Sequence, residues 1–226
     1  MCGRFTLRTS RKALAEAFQL FDADMADMPE LRPRYNIAPT QQVAAVRIRD
    51  DGRRQLVLLK WGLIPSWVDV PSIGNRMINA RGETVASKPA FRSAFKSRRC
   101  LILADGFYEW QKRGAKKQPY CIGLSSGQPF AFAGLWEHWR RDDQTIESCT
   151  IITTGANELM EPLHDRMPVI LPPPRYAQWL DPKSVGSDLE TLLEPYPANE
   201  MAAYPVSTVV NNPRNDMPEC VEEVDA

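Results

Sequence analysis

Apolar and polar positions change period several times along the chain, and each change marks an expected element. Between residues 9 and 21, Leu14, Phe18 and Phe21 recur at helical spacing behind Thr9 or Ser10, either of which can cap a helix. Asp22 to Glu30 is acidic and rich in Met and Ala, a surface connection, and Arg34 to Pro39 reads as a polar–aromatic loop stopped by proline. Residues 42–49 and 55–60 run apolar on either side of Asp51-Gly52, which predicts a β-hairpin. Trp61 to Trp67 leaves that hairpin as an aromatic loop. Phe91 and Phe95 predict a short helix whose other face carries Arg92, Lys96, Arg98 and Arg99.

Cys100 to Ala104 is a short buried strand running into Asp105-Gly106-Phe107-Tyr108-Glu109-Trp110. Strands follow near 120–124, 130–135 and 148–154, the first two joined as a hairpin through Ser125-Ser126-Gly127. A short helix is expected after Asn157, two more over 175–181 and 187–194, and a last strand over Val206 to Val210. The acidic tail from Glu219 reads as frayed.

A chain of 226 residues with 43% hydrophobic and 25% charged positions can bury a real core, as one large domain or two small ones. Nineteen prolines favour ordered loops and short elements. No apolar run is long enough to span a bilayer, and Arg and Lys punctuate residues 1–20, against a signal peptide. The five cysteines are scattered and never spaced C-x-x-C. That argues against a disulfide framework or a zinc site and fits a reducing cytoplasm, with nucleoid association if the source is bacterial. The zero net charge hides an asymmetry: residues 1–120 hold 22 Lys+Arg against 11 Asp+Glu, the remainder 6 against 17. One polyanion-facing surface, or an ordinary mixed surface after folding, would each account for it.

Three places carry candidate chemistry. Cys2 follows Met1 directly, and removal of the initiator would expose an amine and a thiol on adjacent carbons. Such a 1,2-aminothiol can condense with an aldehyde and close to a thiazolidine, or act as an N-terminal nucleophile; the alternative is a cysteine that merely follows the start codon. Glu109 sits between two aromatics, where desolvation would suit acid–base work, or pairs with Lys112 or Lys117. Of two histidines, His138 looks like packing or surface, and His164, in His164-Asp165-Arg166-Met167-Pro168, is the better acid–base candidate. Trp61 and Trp67 are core lids or platforms for unpaired bases.

Taken together and in order, Met1-Cys2-Gly3-Arg4-Phe5, Arg34-Tyr35-Asn36-Ile37-Ala38-Pro39, Trp61-Gly62, Asn79-Ala80-Arg81-Gly82-Glu83-Thr84, Asp105-Gly106-Phe107-Tyr108-Glu109-Trp110 and His164-Asp165-Arg166-Met167-Pro168 resemble the SOS-response-associated peptidase family of abasic-site processing proteins. The resemblance spans nearly the whole chain. It implies one mixed α/β (α+β) domain over residues 1–226, on a curved, mostly antiparallel, barrel-like sheet with short peripheral helices. It implies binding of single-stranded DNA and a covalent cross-link to the sugar aldehyde of an abasic site, with no metal or cofactor.

Carried over by residue, the resemblance makes Cys2 the nucleophile and source of the Schiff base. Asn79 positions the amine and sugar, Glu109 moves protons at the amine, and His164 assists sugar opening. Arg4, Asn36, Arg81 and Arg166 would contact DNA, and Trp67 would stack beside the lesion. Val68 stands where the family often has a second aromatic, and Lys88 where relatives place an arginine. A monomer is expected, and partners among replication-associated proteins are left open. The competing readings are an N-terminal-nucleophile peptidase or amidotransferase, including self-removal of Met1, and a non-catalytic single-strand-binding module.

Overall fold

A computed structural model of the chain describes residues 2–20, 30–114 and 116–225. Its centre is a ring of five strands. β3 (Gln42–Ile48) and β4 (Arg54–Trp61) form the hairpin expected around Asp51-Gly52, with Gly52 at φ 81°, a conformation that glycine adopts without cost. Outward from β3 lie β6 (Arg99–Ala104) and β9 (Phe130–Arg141), all antiparallel. The twelve-residue β10 (Gln144–Gly155) pairs antiparallel with β9 and parallel with β4, which closes the ring. The part of β10 beyond the ring holds β5 (Asn79–Arg81) and β11 (Arg166–Pro168) on its two sides, and β12 (Ile170–Leu171) extends β9.

A second sheet lies against it in the order β13 (Met201–Pro205), β8 (Lys116–Leu124), β7 (Gly106–Arg113), β1 (Phe5–Leu7), β2 (Arg34–Ile37). Aromatic rings join the layers. Phe5 of β1 meets Trp61 at 5.1 Å and Phe132 at 5.7 Å, edge to face, and Phe107 of β7 reaches Phe132 at 6.1 Å. Each such ring is fully buried and contributes roughly 1.5–3 kcal/mol of transfer free energy.

The helices are short and peripheral. α1 (Arg11–Ala17) starts where the Ser10 side chain accepts from the Ala13 N–H and ends before Gln19, whose φ is 54°. Its capping residue and its buried Leu14 match the sequence pattern; Phe21 and the 22–29 connection lie outside the described residues. α2 (Gly82–Val85), α3 (Arg92–Ser97), α4 (Tyr176–Leu180) and α5 (Ser187–Glu190) follow, and the turns after Asn157 form no named helix.

Four further expectations are corrected. The stretch 34–39 is not a loop but begins as β2, whose outer edge is covered by the segment 207–216: Asp216 accepts from the Tyr35 and Asn36 N–H groups. Strands β8 and β9 do not pair as a hairpin, because the turn at Ser125–Gly127 carries the chain from one sheet to the other. The true hairpins are β7–β8 and β9–β10. Val206 to Val210 is not the last strand; Ser207 accepts from Val209 N and caps a single 3-10 turn, Thr208–Asn211. Nor does the tail fray at Glu219. Cys220 is fully buried, and Val224 donates to the Pro205 carbonyl.

Candidate active site

Residues from both sheets meet at Cys2. Tyr108 N–H donates to the Arg4 carbonyl, which extends the β1–β7 pairing and sets the residues before β1 beside Glu109. From the ring side, β5 is fixed by its parallel pairing to Ile151–Thr153 and by the Trp61 indole, which donates to the Ile78 carbonyl at 2.8 Å. Asn79 then directs its Nδ2 onto the Cys2 carbonyl at 2.8 Å, while its Oδ1 is buried without a hydrogen bond.

Cys2 is fully buried, and burial pushes its thiol well above the ordinary range, with the Glu109 carboxylate adding to the shift. Glu109 is 3% exposed. Burial raises its carboxyl too, against the opposing pull of His164. The other reading of Glu109, an ion pair with Lys112 or Lys117, fails on the pleat: side chains alternate along a strand, and Lys112 and Lys117 oppose each other on the far face.

His164 is held within its own loop. The Arg166 N–H donates to Nδ1 at 3.0 Å, and Asp165 Oδ1 lies 2.7 Å from the same nitrogen. One nitrogen cannot accept the first and donate to the second. The backbone donor is permanent, whereas the Asp165 side chain is 86% exposed and its attraction is screened. The neutral ring therefore carries its proton on Nε2, a position assigned from hydrogen bonding. The Arg166 guanidinium grips Glu83 at 2.8 and 3.0 Å and donates to the Thr153 carbonyl at 2.6 Å; that grip holds the Glu83 carboxyl below its usual value.

The expected DNA contacts divide. Trp67 is 63% exposed, and its loop is pinned beneath by Val68, buried against Ile64 and Trp139, with the Trp139 indole donating to the Val68 carbonyl at 2.8 Å. Trp61, by contrast, is core. Gly62 (φ 130°) lets that loop pass Gly74, whose carbonyl oxygen would lie 2.5 Å from any added Cβ. Arg81 and Lys88 are exposed. Arg4 donates to Asn36 Oδ1 and to the Val210 and Asn211 carbonyls, at 2.8, 2.9 and 3.3 Å. Asn36 has no exposed surface, and its amide serves the carbonyls of Val210, Asn212 and Asn215. A residue so enclosed presents nothing to a strand, so the direct contact expected of Asn36 gives way to holding the 207–216 segment. That segment also fixes Trp110, whose indole donates to Asn211 Oδ1 at 2.7 Å. Its part was missed in the sequence, although the run Asn211-Asn212 and Asn215-Asp216 was a visible polar cluster. Among the described residues there is no cluster able to hold a metal ion, and no helix is long and apolar enough to cross a membrane.

This defines a mixed α/β protein whose second residue lies at the junction of two sheets beside an amide and a carboxyl, with an imidazole acting on that carboxyl. The chain belongs to the family described as SOS response associated peptidase (SRAP), whose model matches residues 1–213. Relatives include the Bacillus subtilis abasic site processing protein YoqW, 47% identical over 98% of this chain and 99% of that protein. The Escherichia coli abasic site processing protein YedK is 33% identical over 99% and 100%. A crystal structure of a Bacteroides thetaiotaomicron protein superposes with a TM-score of 0.83 at 26% identity, covering 99% of this chain and all of that one.

Proposed function

We propose that this protein processes abasic sites in single-stranded DNA by becoming covalently attached to them through Cys2. The names of its relatives support the lesion class. The observation that carries the chemistry is the meeting of Asn79 and Glu109 at the residue that follows the initiator, with His164 acting in turn on Glu109.

Hydrolysis of the Met1–Cys2 bond comes first and frees the Cys2 amine. The abasic sugar is mostly a closed hemiacetal, so His164 relays the proton of the anomeric hydroxyl to the ring oxygen as the ring C–O bond breaks and the aldehyde opens. The amine attacks the aldehyde carbon, water leaves, and an imine forms, with Glu109 taking the proton that the amine must shed. The thiol, held protonated by burial, then adds across the imine carbon, its proton passing to nitrogen. The product is a thiazolidine that removes the electrophile and protects the strand from β-elimination. Asn79 holds the Cys2 carbonyl, and its buried Oδ1 is an acceptor for the amine or a sugar hydroxyl.

The test is an adduct that survives denaturation when the protein meets an abasic strand. Wild type should form it; Cys2→Ala, and a chain with an uncleaved tag before Cys2, should not. Normal yield from the tagged chain would remove the amine from the mechanism, and no adduct from wild type would leave a binding module. The peptidase reading draws on the family description. Retention of Met1 in Cys2→Ala alone, read by intact mass, would favour self-removal.

A further inference from the structure

We propose that the face of the β7–β8 hairpin bearing Glu109 continues outward as a phosphate track, with Arg113 and Lys116 at its end holding the backbone of the DNA strand beyond the abasic nucleotide. The inference rests on the single-strand-binding reading given above.

The register places the residues. Glu109 lies opposite Tyr120, Gln111 opposite Gln118, and Arg113 opposite Lys116. Alternate positions share a face, so these three pairs run as one stripe from a buried carboxyl, through two amides, to two cations. At about 3.3 Å per residue, the tip stands roughly 13 Å from Glu109. The intervening pairs, Tyr108–Cys121, Trp110–Pro119 and Lys112–Lys117, point to the opposite face, where Trp110 is tied to Asn211.

Two features mark the tip as built for an anion. Cations face cations across both outer pairs, an arrangement that weakens a hairpin unless something neutralises it. Among the described residues, neither Arg113 nor Lys116 is within ion-pair distance of a carboxylate. Arg113 is also oriented. Its Nε donates to Gln111 Oε1 at 2.8 Å and its Nη2 to the Tyr120 hydroxyl at 2.7 Å, which leaves the Nη1 donors for a ligand. Gln111 in turn donates to the Pro162 carbonyl at 3.4 Å, in the turn that leads to His164. The guanidinium is thus braced against the loop that carries the acid–base histidine.

The experiment compares charge reversal on the two faces of one hairpin: Arg113→Glu with Lys116→Glu, against Lys112→Glu with Lys117→Glu. Binding of an intact strand of some twenty nucleotides is titrated at several salt concentrations, with melting curves to verify the fold. Reversal at 113 and 116 should weaken binding about tenfold and lower the log–log salt slope by about 1.4, two phosphate contacts at about 0.7 each. Reversal at 112 and 117 should leave the slope at the wild-type value. An unchanged slope for the first pair overturns the track, as does an equal loss from both, which would mean general attraction rather than a facing surface. If wild type itself binds no single-stranded DNA, the functional reading fails and the track with it, an outcome visible before any variant is made.

Discussion

Two buried carboxyls lie four residues apart in the chain, one just before β7 and one within it, and they are treated in opposite ways. Asp105 sits at the corner between β6 and β7. Thr6 Oγ1 donates to it at 2.6 Å, Thr9 N at 2.8 Å and Thr9 Oγ1 at 3.0 Å, and Arg8 adds its N–H and its charge. Burial alone would push this group up, but the hydrogen bonds and the Arg8 charge outweigh it and hold the carboxyl below its ordinary value. Glu109 is as deeply enclosed, yet burial prevails and its carboxyl is raised. One environment is complete and therefore structural. The other favours the proton, which suits a group that must accept and return one.

The largest consequence falls on chemistry. Glu109→Gln should slow adduct formation by about 10²–10⁴, the usual scale for a general acid–base group, while its melting temperature at pH 8 stays at or above that of wild type. A proportional loss of both would make Glu109 a second structural carboxyl and dissolve the contrast. His164→Gln should slow formation about a hundredfold, since solvent reaches part of the ring. It should also lengthen the life of a preformed adduct chased with unlabelled abasic DNA, because reversal uses the same proton; release at the wild-type rate would limit His164 to binding.

Asp105→Ala reverses the pattern. It strands the donors of Thr6, Arg8 and Thr9, which should cost about 2–4 kcal/mol, or roughly 5–15 °C in Tm. Trp67→Ala, at an exposed residue on a pinned loop, should leave Tm unchanged and weaken single-strand binding by about 1–3 kcal/mol, the range for a stacked base. An unchanged affinity would take Trp67 out of the interface.

The smallest effect is the most diagnostic. Asp105, depressed below 3.8, contributes stability that is complete above that value and lost as pH falls through its folded pKa. Glu109, raised above 4.5, contributes stability that is present below that value and lost as pH rises through its folded pKa. The Tm difference between Glu109→Gln and wild type should therefore be near zero at pH 4 and grow in favour of the variant toward pH 8. A difference that shrinks with rising pH would reverse the assignment.

Much of this contrast was legible in the residues, but unevenly. Asp51-Gly52 specified its hairpin because a two-sided turn is a local matter, and Ser10 specified the start of its helix for the same reason. Ser125–Gly127 is as good a turn, yet it joins strands of different sheets: alternation encodes which face is buried, not which strand lies alongside. Asn36 was misjudged because a polar residue within a strand looks exposed until the carbonyls that satisfy it arrive from residues 210–215. Glu109 could be named from its aromatic neighbours, but the placing of Lys112 and Lys117 on the opposite face became visible only in the register.

The place of β1 has a mechanical consequence. It is an interior strand, bonded to β7 on one side and β2 on the other. A strand of DNA joined at Cys2 would pull on the chain just ahead of Phe5, whose ring is locked between Trp61 and Phe132. Load from a motor moving along that DNA would act on two rows of backbone hydrogen bonds together with an aromatic anchor, so dislodging the protein would require tearing a middle strand from its sheet rather than peeling an edge.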